Sequence, residues 1–215
     1  TPVVSSAASD VYKRQAIVGA TGNVGRKVLE VLERKNLPIS EVYLVASARS
    51  AGSKINFKGK DIEVENLETF DFSKAKITFF AAGGKISEAY ASKAANHSIV
   101  IDNSSFYRMD PDVPLIVPQV NADDLKNIKK NIIANPNCST AQLVLPLKPI
   151  HELFKIKRVV VATYQSVSGG GKAPMDELVE QTKLALENKK IESKNFTKQI
   201  SCLLYTSPSP RDRIR

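Results

Sequence analysis

The sequence predicts an α/β fold: a doubly wound sheet of parallel strands with helices on both faces. Three observations favour this class. Short apolar, β-branched segments recur along the chain, segments with a helical spacing of apolar residues separate them, and a glycine-rich turn joins the first strand to the first helix. Strands that alternate with helices pair in parallel, because each helix returns the chain to the edge where the next strand starts.

Each element follows from its local pattern. The apolar runs predict strands at 15–20, 41–46, 77–81, 98–102, 132–134 and 158–163. Helical periodicity predicts helices at 24–32, at 87–95, from residue 139 onward and at 174–188. Pro146 and Pro149 should disturb the later course of the third helix, because proline has no main-chain N–H to donate.

The turn after the first strand has the spacing of a dinucleotide-binding site. Gly19, Gly22 and Gly25 lie between a strand and a helix, which is the context that this motif requires. Gly19 would permit a tight turn, Gly22 would let main-chain N–H groups approach a diphosphate, and Gly25 would let helix and strand pack closely. The pattern predicts a Rossmann-type domain, and a surface turn without a ligand is the alternative.

The end of the second strand favours NADP over NAD. Sites for NAD usually place an acidic residue there to bind the ribose 2′-hydroxyl, whereas this chain has the segment Ser47–Ser50, with no carboxylate. Arg49 could pair with a 2′-phosphate through its planar guanidinium, and Ser50 could add a hydroxyl donor. A solvated loop arginine is the alternative interpretation.

Cys138 is predicted to lie at the start of a helix, just after a buried strand. The unsatisfied N–H groups of a helix start lower the pKa of a thiol and can also hold the oxyanion of a tetrahedral intermediate. A lone cysteine is more often a small packing residue. Here the surrounding Pro-Asn-Cys-Ser-Thr sequence, with Asn137 before the thiol, favours a nucleophile.

Further polar and glycine-rich turns follow other strands. The segments 82–84 and 103–105 fall at predicted carboxyl ends of strands, where ligands bind in such sheets, although turn or capping residues would look the same. A second glycine-rich loop covers 164–171 and is either flexible or closely approached by a ligand. Its Gln165 could hold a substrate or a water molecule near a thioester.

Composition sets modest limits on function. No apolar run approaches the length of a membrane-spanning helix, and two cysteines give no disulfide framework, which fits a reducing cytoplasm. The net charge of +9 includes terminal basic residues, and the internal lysine pairs lack interleaved aromatic residues. We therefore expect a solvated surface rather than a nucleic-acid site, with polyanionic ligands accounting for part of the excess charge.

Five motifs resemble those of the aspartate-semialdehyde dehydrogenases, in the same order and over about residues 16–200. They are Gly-Ala-Thr-Gly-x-Val-Gly from Gly19, Ser-x-Arg-Ser-Ala-Gly from Ser47, Asp-Asn-Ser-Ser-x-x-Arg from Asp102, Pro-Asn-Cys-Ser-Thr from Pro136, and Tyr-Gln-x-x-Ser-Gly from Tyr164. The resemblance implies reduction of L-aspartyl-4-phosphate by NADPH to L-aspartate-4-semialdehyde, a step toward lysine, methionine, threonine and diaminopimelate. It also implies a small-molecule substrate and a homodimer.

The same resemblance assigns roles to individual residues. It implies that NADP contacts Gly19, Thr21, Gly22, Asn23, Val24, Arg49, Ser50, Ser168 and Gly169. Cys138 would be the nucleophile that forms the acyl thioester, and Arg108 would bind the phosphate. Asn137 and Gln165 would line the substrate pocket. The family also uses an acid–base histidine and a carboxylate-binding arginine beyond the matching region, and His97 and His151 lie in no matching motif.

The resemblance predicts a domain organisation. We expect an NADP-binding domain at 15–136 and the start of an α+β catalytic and dimerisation domain at 137–201. The segments 1–14 and 202–215 match neither family nor fold and look like translated adapter sequence, with native disordered tails as the alternative. The chain is then expected to be an inactive fragment.

Two alternatives remain within this chemistry and one outside it. N-acetyl-glutamyl-phosphate reductase shares the chemistry but typically reads Pro-Gly-Cys-Tyr at the cysteine, so Asn137 and Ser139 favour the aspartyl enzyme. Malonyl-CoA reductase is a closer relative that these residues do not exclude. A non-catalytic NADP-binding module is the third possibility.

Overall fold

The computed structural model describes residues 14–35 and 37–201. The predictions for segments 1–14 and 202–215 therefore lie outside the described residues, apart from Arg14, which begins the first strand. The chain forms two compact units, with the division between Thr163 and Tyr164.

The first unit is built on a seven-stranded sheet with the order β3-β4-β2-β1-β5-β6-β7. Its strands are β1 Arg14–Val18, β2 Glu41–Ala46, β3 Lys54–Phe57, β4 Lys60–Asn66, β5 Ile77–Phe80, β6 Ile99–Asp102 and β7 Ile132–Ala134. Neighbouring strands are parallel, except for the antiparallel pair β3 and β4. The winding direction reverses at β1, which has β2 on one side and β5 on the other, and doubly wound folds bind ligands at such a point. The predicted fold class is confirmed.

Helices cover both faces of this sheet. The α-helices among residues 14–35 and 37–201 are α1 Asn23–Arg34, α2 Gly84–Ala95, α3 Pro118–Asn121, α4 Cys138–Phe154 and α5 Lys172–Leu186. Along β1, Ala16 and Val18 belong to one buried cluster with Ala91 of α2, while Ile17 belongs to a second cluster with Leu29 of α1. Because side chains alternate along a strand, α1 and α2 lie on opposite faces of the sheet.

The hairpin of β3 and β4 was not predicted. Its turn residues Lys58 and Gly59 have φ of 50° and 78°, the left-handed pair typical of a two-residue type I′ turn. The signal available in the sequence was the alternation of Ile55 and Phe57 with polar residues ahead of this Lys-Gly pair. Glu33 of α1 accepts a hydrogen bond from the main-chain N–H of Lys58 at 2.9 Å, which ties the hairpin to the helix.

One predicted strand is wrong. The segment 158–163 has no regular secondary structure, and no described strand pairs with it. Its β-branched residues favour an extended chain, but a strand needs a hydrogen-bonded neighbour, and Val160 is 80% exposed. The expected disturbance of the cysteine helix is also limited, because α4 continues past Pro146 and Pro149 to Phe154.

The described part of the second unit, up to residue 201, comprises a short glycine-rich turn, α5 and the segment that follows this helix. Glu177 and Gln181 of α5 are buried polar residues. The Glu177 carboxylate accepts main-chain hydrogen bonds from Lys194 at 2.8 Å and Asn195 at 2.6 Å. Burial raises the pKa of Glu177, but these hydrogen bonds and those from the Asn195 and Gln181 side chains outweigh it and leave the pKa below its ordinary value.

Candidate active site

The carboxyl ends of β1, β5, β6 and β7 meet at one edge of the sheet. The first residue after a strand donates its main-chain N–H to the last residue of the neighbouring strand: Ala81 to Val18, Asn103 to Phe80 and Asn135 to Asp102, at 2.8 to 3.0 Å. Gly19 donates its main-chain N–H to Val45, the penultimate residue of β2, at 2.8 Å. The turns that carry most of the predicted site residues therefore lie side by side.

The glycine turn has no room for side chains at Gly19 and Gly25. Gly19 has a φ of +87°, and a Cβ there would lie 2.8 Å from the carbonyl of Ala81. A Cβ at Gly25 would lie 2.2 Å from the Gly19 carbonyl oxygen, because α1 packs directly on the turn. Larger residues at either position would push the helix start away from the strand end.

The start of α1 offers main-chain N–H groups to a ligand. Gly22 is the residue before the helix, no side chain caps the helix start, and its first turn has no acidic residue. Gly22, Asn23 and Val24 are exposed, and Thr21 is half-buried. A helix start with this composition suits an anion, because the helix dipole and the N–H groups both favour negative charge there.

Arg49 and Ser50 lie in the turn that follows β2. The main chain of this turn is closed by a hydrogen bond from Ser50 N to Ser47 O at 2.8 Å. Arg49 is exposed, and no carboxylate in residues 14–35 or 37–201 forms an ion pair with it. Its guanidinium is therefore accessible to an anionic group beside the glycine turn.

Cys138 is the first residue of α4 and a free, exposed thiol. Asn137 caps the helix, since its side-chain oxygen accepts a hydrogen bond from Ser139 N at 2.9 Å. The Cys138 Sγ lies 4.0 Å from the same Asn137 oxygen. The exposure of the thiol argues against a packing residue, and its position gives it the helix-start environment expected of a nucleophile.

The Arg108 guanidinium joins the turns after β6 and β7. Its Nε donates to Asn135 O at 2.9 Å and its Nη2 donates to Asn103 O at 3.0 Å. These two donors form one edge of the planar guanidinium, so the other edge, formed by Nη1 and Nη2, remains for a bidentate contact with an anion. Asn135 is three residues before Cys138, which places the anchored arginine beside the turn that leads to the thiol.

Asp102 is a site-forming residue that was not among the predicted site residues. It ends β6, is fully buried, and accepts hydrogen bonds from Ser87 Oγ, Ser104 N and Ser104 Oγ at 2.8 to 2.9 Å. A side-chain hydrogen bond also joins Asn135 Nδ2 to Asn103 Oδ1 at 2.8 Å. Within segment 103–105, Ser104 therefore holds the turn after β6, as the interpretation of these residues as turn or capping residues predicts. The signal in the sequence was an aspartate directly after an apolar strand.

Gln165, Ser168 and Gly169 belong to the second unit. The loop tightens into a single turn of 3-10 helix at Val167–Gly170, where Ser166 accepts a hydrogen bond from Ser168 N. Gln165 and Ser168 are exposed, and a Cβ at Gly169 would lie 3.1 Å from Gln165 Nε2. The glycine thus allows the Gln165 side chain to lie against the main chain of its own loop.

Neither histidine can act on the Cys138 thiol from its position in the first unit. His151 lies thirteen residues further along α4, about 20 Å from the thiol along the helix axis. His97 precedes β6, at the edge of the sheet opposite to Cys138. Within residues 14–35 and 37–201, no group of three or more acidic, histidine or cysteine side chains could hold a metal ion. No helix in the same ranges is long and apolar enough to cross a membrane.

Comparison with known proteins gives consistent matches. The family model described as "Semialdehyde dehydrogenase, NAD binding domain" matches residues 14–128, and the model described as "Semialdehyde dehydrogenase, dimerisation domain" matches residues 147–205. Aspartate-semialdehyde dehydrogenase from Aquifex aeolicus is 52% identical over 192 residues, a match that covers 87% of this chain and 56% of the relative. The chain thus spans little more than half the length of such relatives.

Solved structures agree with these matches. Aspartate semialdehyde dehydrogenase II from Vibrio cholerae, crystallised as a complex with ASA, superposes with a TM-score of 0.82 at 46% identity, covering 88% of this chain and 57% of that chain. The enzyme from Candida albicans, solved with NADP, superposes with a TM-score of 0.53 at 30% identity, covering 66% of this chain and 48% of that chain. The resemblance inferred from the five motifs is confirmed, and since one family model spans more than half of its residues, the chain belongs to the semialdehyde dehydrogenase family.

Proposed function

We propose that this chain carries the cofactor-binding and nucleophilic parts of an NADP-dependent aspartate-semialdehyde dehydrogenase. The reaction is the reductive dephosphorylation of L-aspartyl-4-phosphate to L-aspartate-4-semialdehyde, through a thioester on Cys138. The observation that supports this most is the exposed Cys138 thiol at the start of a 17-residue helix, at the sheet edge that also bears Arg108 and the glycine turn.

Cys138 performs the covalent step. Its sulfur attacks the acyl carbon, the C–S bond forms, and the C–O bond to phosphate breaks as phosphate leaves with the electron pair. The N–H groups at the start of α4 stabilise both the thiolate and the oxyanion of the tetrahedral intermediate. Asn137 supports this arrangement by holding the first turn of the helix through Ser139 N.

Arg108 binds the phosphate that leaves. Two main-chain carbonyls fix one edge of its guanidinium, so its free edge is presented in a defined orientation. A planar fork of two N–H donors matches two oxygens of a phosphate, and it stabilises the charge that the phosphate gains as the C–O bond breaks.

The glycine turn and the turn after β2 bind NADP. The close packing at Gly25 and the uncapped start of α1 suit the diphosphate, and Arg49 with Ser50 suits the 2′-phosphate. The NADP complex of the Candida albicans relative supports this cofactor. Bound NADPH would supply the hydride that reduces the Cys138 thioester to a hemithioacetal, which then releases the aldehyde.

The remaining assignments rest on the family match. By that match, Asn137 and Gln165 contribute to substrate binding, and Ser168 and Gly169 contribute to cofactor binding. The domains are an NADP-binding domain at 15–136 and a catalytic and dimerisation part at 137–201, with the dimerisation-domain match supporting a homodimer. We place the enzyme in the cytoplasm, in the biosynthesis of lysine, methionine, threonine and diaminopimelate.

The 215-residue chain on its own should bind NADP and react at Cys138 but turn over little. The reason is proton transfer. His97 and His151 both lie far from the Cys138 thiol, so neither can donate a proton to the phosphate or to the sulfur as these groups depart. An NADP-binding module without turnover is therefore the second candidate function for the isolated chain.

A chimera tests the proposed function. Residues 14–201 would be joined to the remaining C-terminal part of the Aquifex aeolicus relative, and semialdehyde- and phosphate-dependent reduction of NADP would be measured. We expect turnover in the chimera, none in its Cys138→Ser variant, and little in the 215-residue chain. Turnover in the Cys138→Ser variant would refute the mechanism through a Cys138 thioester. A preference for N-acetyl-glutamyl phosphate or malonyl-CoA over aspartyl phosphate in the reductive direction would refute the substrate assignment.

A further inference from the structure

We propose that Asp102 is a positioning residue that sets the orientation of the phosphate-binding Arg108, an inference that rests on the role of Arg108 given above. Asp102 never faces the phosphate itself, because it is fully buried at the end of β6. It acts through the turn that follows the strand.

A continuous chain of hydrogen bonds leads from Asp102 to the segment that carries Arg108. The Asp102 Oδ2 accepts a hydrogen bond from Ser104 Oγ at 2.8 Å, and Ser104 Oγ in turn accepts one from Phe106 N at 3.1 Å. Phe106 is the first residue of the 3-10 helix Phe106–Met109, which contains Arg108. The buried carboxylate therefore fixes the start of the short helix that holds the arginine.

The second carboxylate oxygen fixes the same turn from the other side. Asp102 Oδ1 accepts hydrogen bonds from Ser104 N at 2.9 Å and from Ser87 Oγ of α2 at 2.8 Å. The turn is thus tied to a long helix rather than only to its own strand. Because the carbonyl of Asn103 is one of the two acceptors that hold the Arg108 guanidinium, a shift of this turn moves that acceptor as well.

The charge of Asp102 argues for a geometric role. A buried carboxylate is costly unless it is paired or well hydrogen-bonded. Among the described residues no cation forms an ion pair with Asp102, and its three hydrogen-bond donors are neutral. A negative charge so near a phosphate site repels the phosphate, so it cannot be explained by attraction of the substrate.

Because of this repulsion, the direction in which Asp102→Asn changes the affinity for phosphate distinguishes a role of charge from a role of position. If Asp102 acted only through its charge, Asp102→Asn would bind phosphate more tightly. If Asp102 acts by position, the same variant binds phosphate less tightly. Asparagine keeps only one acceptor oxygen, and its NH2 group cannot accept at the other position, so at least one of the hydrogen bonds that fix the turn is lost.

The experiment measures the affinity of inorganic phosphate for the 215-residue chain. Phosphate should slow the alkylation of Cys138 by neutral iodoacetamide, with the label quantified on the Cys138 peptide by mass spectrometry, and the dependence on phosphate concentration gives Kd. We expect Asp102→Asn and Ser104→Ala each to raise this Kd about tenfold. The Kd for NADPH, measured by fluorescence, should change less than about twofold in both.

Thr78→Val is the matched control. It removes the buried hydrogen bond of 2.8 Å between Thr78 and Ser98, at the opposite edge of the same sheet. We expect it to lower the unfolding temperature without changing the Kd for phosphate, which separates loss of stability from loss of position. Each variant is assayed well below its own unfolding transition.

Arg108→Ala separates the two proposals. An unchanged Kd for phosphate in Arg108→Ala would overturn the role of Arg108 itself. A raised Kd in Arg108→Ala with an unchanged or lower Kd in Asp102→Asn would overturn only the positioning role. If Asp102→Asn does not fold, Ser104→Ala decides: a raised Kd supports the positioning role, and an unchanged Kd overturns it.

Discussion

Gly25→Ala tests the close packing of α1 on the glycine turn. A Cβ at this position would lie 2.2 Å from the Gly19 carbonyl oxygen, and real Cβ atoms essentially never come within 3.0 Å of a non-bonded heavy atom of a residue that is not adjacent in the chain. The helix start and the strand end must therefore separate by about 0.8 Å. Overpacking of this kind costs about 3 kcal/mol, and the better helix propensity of alanine returns about 1 kcal/mol. We expect a net loss of about 2 kcal/mol in the free energy of unfolding.

Gly84→Ala is the matched control for this prediction. Gly84 begins α2, another 12-residue helix, but a Cβ there meets its nearest neighbour at an ordinary 3.7 Å. This variant should be as stable as the wild type or up to about 1 kcal/mol more stable. Urea denaturation monitored by circular dichroism measures the free energy of unfolding of both variants. NADPH titration should show about tenfold weaker binding in Gly25→Ala only. Wild-type stability and NADPH affinity in Gly25→Ala would refute the packing argument.

Three further predictions concern charged residues. Arg49→Ala should weaken NADPH binding by about 1 to 3 kcal/mol and barely change NADH binding; equal losses in calorimetric titrations would contradict a 2′-phosphate contact. Hydrogen bonding to Lys130 lowers the pKa of Asp110, and hydrogen bonding to Asp110 raises the pKa of Lys130. The pair therefore contributes stability above the unfolded carboxyl pKa of about 4 and below the unfolded lysine pKa of about 10. Lys130→Met should lower the urea midpoint at pH 7. The difference in urea midpoint between the wild type and this variant should shrink as the pH falls through the lowered pKa of Asp110. Glu177→Gln should loosen segment 194–201 and speed its amide hydrogen exchange, while exchange in the β1 region stays unchanged.

Parts of the fold that rest on continuous apolar runs were predictable. Apolar segments whose pattern indicates a buried strand predicted β2, β5, β6 and β7, and the glycine spacing predicted the turn after the first strand. The β3–β4 hairpin was missed because β3 has only four residues and β4 carries four charged residues, which hide its apolar positions. The strand at 158–163 was wrong because β propensity is local, whereas strand pairing depends on what lies beside the segment.

The site was predictable where the chemistry lies in one residue and its position on an element. Cys138 at a helix start is such a case, since a buried strand, a proline and a helical pattern locate it. The anchoring of Arg108 was not, because its partners are main-chain carbonyls of Asn103 and Asn135, which any residue types would offer. The role of Asp102 depends on contacts with Ser87 and Ser104 that only the folded chain brings together.

The central claim is that Cys138 forms an acyl thioester, and direct acylation tests it. The 215-residue chain and its Cys138→Ser variant would be incubated with aspartyl phosphate without NADPH, then digested and analysed by mass spectrometry. We predict an aspartyl adduct on the Cys138 peptide that hydroxylamine removes, and none on the serine variant. An unmodified Cys138 after prolonged incubation with aspartyl phosphate, in a chain whose Cys138 still reacts rapidly with iodoacetamide, would contradict the account.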